Sequence, residues 1–121
     1  MTYDDFNAFC SALPATTHVV QWGGAHVWKV GGKVFAIGGW ADDQPAFTFK
    51  VSEIGFEVLK DQPGCRPAPY LASRGMKWIQ NYGAPGLTDA DLRDHIAASH
   101  SLVAKGLTKK LQRELGLLPD Q

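Results

Sequence analysis

The fold is decided in residues 17–51, which read THVVQWGGAHVWKVGGKVFAIGGWADDQPAFTFKV. Glycine pairs at 23–24 and 31–32 separate runs that are rich in valine and aromatic residues, and Gly-Gly between such runs is a strong signal for a tight hairpin. A longer turn at 41–45 leads into the last run. The stretch therefore predicts four consecutive antiparallel strands, at 17–22, 25–30, 33–39 and 46–51.

A helix is predicted ahead of these strands. Thr2 and Asp5 have the spacing of a capping box in which Asp replaces the usual Glu, and Pro14 ends the helix. The apolar residues between them recur at the i, i+3, i+4, i+7 spacing of an amphipathic helix: Phe6, Phe9, Cys10 and Leu13. The chain is therefore expected to begin with a helix that buries one face.

One more helix and one more strand are predicted directly after residue 51. Ser52 is expected to cap the second helix, because its hydroxyl can accept a hydrogen bond from a backbone N–H of the first turn. Residues 63–70 hold three prolines and are predicted as coil. Residues 76–81 are then predicted as a fifth strand.

A third helix completes the predicted chain. Thr88 and Asp91 repeat the capping pattern, and the helix is expected to run to residue 115 with a break or bend at Gly106. The order α-β4-α-β-α predicts an α+β fold: a single domain with a mainly antiparallel five-stranded sheet, helices packed on one face, and the other face partly exposed. The domain is expected to span 1–118, followed by a C-terminal tail at 119–121.

Composition excludes a general polyanion binder. Twelve basic and twelve acidic residues cancel, so contact with nucleic acid must come from local clustering. Cys10 and Cys65 lie far apart and lack metal-binding or redox spacing, which is typical of reduced thiols in a cytoplasmic protein. No apolar run approaches the roughly 20 residues of a membrane span. We therefore expect a cytoplasmic protein without a membrane partner.

The sequence shows no catalytic or metal-binding motif. A two-residue loop at 23–24 would pair His26 with Gln21 and place His18 on the opposite face, so no two histidines are expected to share a metal. Cys65 precedes Arg66, and a neighbouring cation can lower a thiol pKa, although a simple loop thiol is the plainer interpretation. The sequence therefore predicts a protein that is not an enzyme and needs no cofactor.

Cations cluster near the C-terminus, at Lys105, Lys109, Lys110 and Arg113. Lys109 and Arg113 share a helical face, which Lys105 joins if Gly106 only bends the helix. Such a face can contact phosphates. The alternative is a solvated helix end, where the helix dipole favours cations.

Four tryptophans are many for this length. Lys33 and Lys77 lie near them in sequence and are secondary candidates for contact with nucleic acid. Aromatic side chains beside cations can stack on bases, but they can equally fill a core or a protein interface. Trp40, next to the turn at 41–45, is the best candidate for an exposed aromatic contact.

Several segments, in order along the chain, resemble the MmcQ/YjbR family: 3–13, 33–36, 47–51, 66–70, 77–79, 99–103 and 107–110. They span nearly the whole chain, and one departure is His100, where the family more often has Tyr. The resemblance implies a domain similar to the CyaY fold, with a curved antiparallel sheet backed by helices. It also implies the DNA-binding label that such proteins often carry, without a defined chemistry or sequence preference.

Three functions remain open from the sequence. The leading expectation is a non-enzymatic cytoplasmic binding domain that contacts double-stranded DNA weakly and non-specifically through the C-terminal cations. The alternative is a protein-interaction module that uses the open face or edge of the sheet to bind a protein partner. A small enzyme that uses Cys65 or a histidine is the third possibility.

Overall fold

The computed structural model describes residues 1–41, 45–69, 71, 75–83 and 85–117. The helices are α1 (Tyr3–Ser11), α2 (Glu53–Leu59), α3 (Asp89–Lys105) and α4 (Lys109–Glu114). The strands are β1 (Thr16–Gln21), β2 (Ala25–Val30), β3 (Lys33–Gly38), β4 (Phe47–Lys50), β5 (Cys65–Pro67) and β6 (Trp78–Asn81). The tail predicted at 119–121 and the middle of the turn at 41–45 lie outside the described residues.

The strands form one antiparallel sheet in the order β1-β2-β3-β4-β6-β5. The predicted α+β class with an antiparallel sheet is confirmed, but the sheet has six strands rather than five. The missed strand is β5, which the prolines led us to predict as coil. Pro67 is tolerated because β5 is an edge strand, where a residue without an N–H need not break a ladder.

The predicted helix starts are confirmed. Thr2 accepts a hydrogen bond from the Asp5 N–H while the Asp5 carboxylate accepts one from the Thr2 N–H, which completes the capping box. Ser52 and Thr88 cap α2 and α3 in the same way with their hydroxyls. These side chains satisfy N–H groups that have no acceptor within the helix.

The predicted third helix is divided into two. Gly106 ends α3, and Thr108 starts α4 by accepting a hydrogen bond from the Leu111 N–H. Gln112 of α4 is buried, and its amide donates to the carbonyl oxygens of Leu107, at 2.7 Å, and Lys105, at 3.4 Å. Its side chain therefore supplies donors to carbonyls that the end of α3 leaves unpaired.

The core lies between the sheet and the helices. Helices α1, α2 and α3 contribute Phe6, Leu59 and Ile96 to one buried cluster. Phe49 of β4 joins them from the sheet, with Ala36 and Ile79 opposite it on the two neighbouring strands. The helices thus cover one face of the sheet, as predicted.

The second face is less open than the sequence predicts. Ala25, Val27 and Ile37 are buried there, and Leu71, from the segment between β5 and β6, packs against them. Exposure is greater at β1, where Val19 is 37% exposed. A flat open face across the middle of the sheet is therefore absent from the described structure.

The register of the first hairpin differs from the prediction by one residue. The loop holds Trp22 as well as the two glycines, and all three have positive φ, at 54°, 79° and 92°. As a result His26 lies opposite Val20, and His18 lies opposite Trp28. Because a shift of one residue moves side chains to the other face, His18 and His26 share a face, and their predicted separation is wrong.

Candidate functional site

A groove of about 390 Å³ opens on the second face of the sheet. We call it the sheet groove. Its apolar lining is formed by Val103 of α3 together with Trp22, Val34, Ile37, Leu71, Met76 and Trp78. Lys33 and Lys50 are its charged lining residues, and no described carboxylate lines it. The sheet groove therefore combines an apolar body with positive charge.

Two buried polar groups on this face have no hydrogen-bond partner among the described residues. They are the indole N–H of Trp78, which lines the groove, and the hydroxyl of Thr48. Thr48 lies directly opposite Ile37, so it belongs to the same face. A buried donor without an acceptor costs about 1–3 kcal/mol, so a water or a ligand bound on this face would be favoured by these groups.

Two tryptophans meet near one end of the groove. The rings of Trp22 and Trp40 lie 5.7 Å apart, and their backbones have φ values of 54° and 67°. Gln80 donates its amide to the Trp40 carbonyl at 3.3 Å, which holds this segment against the sheet. Trp22 is 52% exposed, whereas Trp40, the predicted aromatic contact, is half-buried. Trp22 is therefore the more accessible ring of the pair.

The predicted basic residues lie in different places. We call Lys105, Lys109, Lys110 and Arg113 the C-terminal cluster; all four are exposed, and none forms an ion pair within the described part of the chain. Lys105 lies in the last turn of α3 and Arg113 in the last turn of α4. Lys109 and Lys110, however, begin α4, and the helix dipole disfavours cations in a first turn. The favourable interaction of cations with a helix C-terminus therefore does not explain Lys109 and Lys110.

Lys33 lies between the sheet groove and the C-terminal cluster. A Cβ atom on Gly31 would come within 2.5 Å of Leu107 Cδ1 and 3.3 Å of Leu115 Cδ1, so the β2–β3 turn packs against the α3–α4 region. Lys33, two residues further on, is exposed and lines the sheet groove. The fold thus brings one secondary candidate towards the C-terminal cluster.

Lys77 does not join this surface. Its ammonium lies 4.8 Å from the centroid of the Phe56 ring, so the side chain is directed towards α2. Lys50, which the sequence interpretation missed, lies instead in the groove opposite Trp78. Lys50 alternates with Phe47 and Phe49 along β4, and this pattern alone places it on the second face. Its position next to Trp78, however, follows only from the pairing of β4 with β6.

The two hairpin histidines form a hydrogen-bonded network. His18 Nε2 lies 3.2 Å from His26 Nδ1, and Asn7 Nδ2 lies 3.4 Å from the same atom. Burial, and secondarily His26, lowers the pKa of His18. Among the described residues, no group of three His, Cys, Asp or Glu side chains is placed to hold a metal ion.

The surroundings of Cys65 do not support its activation by Arg66. Burial raises the pKa of Cys65, and it raises the pKa of Cys10 to about 12. Arg66 does not act on the thiol, because its guanidinium lies over the Tyr82 ring at 4.3 Å and its Nε donates to Gln80. A neighbouring cation therefore does not lower the pKa of this thiol.

His100 lines a second cleft, of about 430 Å³, beside α4. Its Nε2 lies 2.8 Å from the Pro14 carbonyl oxygen, and so donates to it. No carboxylate is among the described residues that line this cleft. The arrangement does not supply the histidine and carboxylate pair that would indicate acid–base chemistry.

The topology defines a small α+β domain with a six-stranded antiparallel sheet. The chain belongs to the YjbR family, whose model matches residues 11–102, and this confirms the resemblance seen in the sequence. No curated protein matches the chain. In the part of the chain that the structure describes, no helix is both long enough and apolar enough to cross a membrane.

Solved structures similar to this chain include two that show the shared fold. One is the crystal structure of the Deinococcus radiodurans protein DR2400, with a DUF419 domain; it is 26% identical, has a TM-score of 0.83, and the match covers 99% of this chain and 91% of that one. The other is a Pseudomonas syringae protein that is 20% identical, with a TM-score of 0.65 and coverage of 84% and 98%. The second likeness shows the fold alone.

Proposed function

We propose that this domain is a non-enzymatic cytoplasmic binding protein and that its C-terminal cluster contacts the phosphates of double-stranded DNA. The observation that carries the proposal is that four exposed cations lie close together in sequence without a described carboxylate partner. Unpaired cations are free to replace the counterions of a polyanion, which is the main source of non-specific affinity for DNA. The two free cysteines suit a reducing compartment.

The placement of the charges also supports this proposal. Lys109 and Lys110 stand where their own helix disfavours them, so a role outside the helix explains them better than a role within it. Lys33 extends the surface towards the sheet groove, whereas Lys77 is left out because its ammonium packs on Phe56. Contacts restricted to phosphates imply weak binding without sequence preference.

Fluorescence anisotropy of a labelled random-sequence duplex, measured at several salt concentrations, tests the proposal. The variant K105Q/K109Q/K110Q should weaken binding and reduce the slope of log K against log salt by about 2.7, because each phosphate contact contributes about 0.9. The matched control K29Q/K60Q/R93Q removes the same charge elsewhere and should keep the wild-type slope. Equal losses in both variants, or no binding by wild type at low salt, would refute the assignment.

A second candidate function is the addition of a strand from another chain to β1. β1 is an edge strand without proline or a charged residue, and Val20 is 54% exposed. Such edges are templates for pairing with a further strand.

Self-pairing of β1 is the simplest form of this second function. Light scattering over a range of protein concentrations would then show a dimer for wild type and a monomer for Val20→Lys. A monomer at every concentration would exclude self-pairing through β1.

A further inference from the structure

We propose that the sheet groove is a binding site for a small organic anion with an aromatic body. This site is separate from the C-terminal cluster and does not require the domain to bind DNA. Its volume of about 390 Å³ falls in the range of about 300–1,000 Å³ that small-molecule sites occupy.

The apolar lining favours a flat, aromatic ligand. Ile37 and Trp78 are buried within the lining, while Trp22 leaves about half of its indole exposed. An aromatic ring placed against Trp22 would bury this surface and gain a stacking contact. A flat aromatic ligand would therefore complete the apolar contacts of the site.

The charges specify an anion. Lys33 and Lys50 line the groove, neither forms an ion pair with a described residue, and no described carboxylate lies in the lining. Lys50 is half-buried, and its backbone is fixed because its N–H donates to Ser99 Oγ at 2.8 Å. An ammonium group without a counter-ion in the lining favours an acidic group on the ligand.

The unpaired indole N–H supplies a second contact. Trp78 is only 5% exposed, its N–H has no described acceptor, and it lies directly opposite Lys50 on the neighbouring strand. Residues opposite each other in this way have Cβ atoms about 5 Å apart. We infer that an acidic group bound at Lys50 also accepts from this indole N–H, since both residues line the groove on neighbouring strands.

Backbone strain at the end of the groove near Trp22 and Trp40 supports a preformed binding site. Trp22 and Trp40 are both in the left-handed region, which costs bulky residues of order 1–3 kcal/mol each. Such strain collects at ligand sites because the surrounding structure holds residues where binding needs them. Here the strained backbone places the Trp22 ring in the lining of the groove.

A pair of matched fluorescent probes tests the proposal. 8-Anilinonaphthalene-1-sulfonate carries an aromatic body and an anionic group, and N-phenyl-1-naphthylamine has the same body without the sulfonate. The folded wild-type protein should bind one sulfonate probe per chain. K33Q/K50Q should weaken the sulfonate probe by about tenfold and leave the neutral probe unchanged.

Two further variants test whether this site is distinct from the proposed DNA surface and whether the probes bind by non-specific apolar contact alone. K105Q/K109Q/K110Q should bind the sulfonate probe as wild type does. Trp78→Phe keeps an aromatic side chain, although a smaller one, and removes the indole N–H, so it should weaken the sulfonate probe more than the neutral one. Unchanged binding of both probes by K33Q/K50Q, an equal loss in the C-terminal variant, or no binding to folded wild type would overturn the proposal.

Discussion

His18 and His26 face each other across β1 and β2, with His18 Nε2 3.2 Å from His26 Nδ1. Trp28 Nε1 donates to Asn7 Oδ1 at 2.9 Å, which turns the Asn7 amide nitrogen towards His26 Nδ1. His26 Nδ1 therefore lies within hydrogen-bond distance of two neighbours, the Asn7 amide nitrogen and His18 Nε2.

The histidine pair predicts a loss of stability in mild acid. The pKa of His18 is lower in the folded state than its ordinary value of about 6.5, so the folded state binds protons less readily than the unfolded state. The contribution is complete above about pH 6.5 and is lost as pH falls through and below that value. Melting temperatures at pH 7.5 and 5.5 should differ more for wild type than for His18→Gln. The same pH dependence in both proteins would contradict this role.

Two buried tryptophans predict different costs for the same substitution. Trp28 donates its indole N–H to Asn7, whereas the Trp78 N–H has no acceptor among the described residues. Trp28→Phe should therefore lower the free energy of unfolding by about 1–2 kcal/mol more than Trp78→Phe, because only the first leaves a polar partner unpaired. Urea denaturation of both variants measures the difference. Equal losses would show that the Trp78 indole is satisfied in solution.

Gly64 should be far less replaceable than Gly32, which lies in another turn. A Cβ at this position would lie 2.4 Å from the Gly86 nitrogen and 2.5 Å from the Gly83 oxygen, and these are backbone atoms that cannot rotate away. Gly32 has a similar positive φ, but a Cβ there would meet nothing within 4 Å. Gly64→Ala should thus cost at least about 2 kcal/mol more than Gly32→Ala in chemical denaturation. A similar cost for both would mean that the 83–86 segment moves aside freely.

Both thiols should be inert in the folded protein. Cys10 has a pKa of about 12 because it is buried, and the pKa of Cys65 is also raised by burial. Since the thiolate is the reactive form, a disulfide reagent at pH 8 should label neither residue until denaturant is added. One thiol that reacts rapidly under native conditions would identify a site that the fold exposes.

Local patterns allowed much of the fold to be predicted. The capping box of Thr2 and Asp5 and the two glycine pairs are interactions between near neighbours, and they gave the first helix and the strand order up to β4. The register of the first hairpin failed because Trp22 adopts a positive φ that is unusual for an aromatic residue. β5 was missed because only its position at the edge of the sheet makes Pro67 acceptable.

The sheet groove could not be predicted in the same way. Lys50 and Trp78 meet because β4 pairs with β6 over a sequence separation that includes α2 and β5. Leu71 reaches the groove from a connecting segment that carries no periodic pattern. The C-terminal cluster was visible in the sequence because its members are neighbours along the chain, and of the predicted break or bend at Gly106 the structure shows the break.

The hydrogen bonds from the Gln112 side chain to the end of α3 fix how the two helices that carry the C-terminal cluster are placed. By tying α4 to the carbonyls of Leu107 and Lys105, this buried amide fixes the spacing between the charge on α3 and those on α4. A flexible basic tail must lose conformational freedom when it meets a polyanion, whereas this arrangement is ordered beforehand. If the cluster binds a polyanion as proposed, the fixed placement of the two helices would make the geometry of the anionic partner matter as well as its total charge.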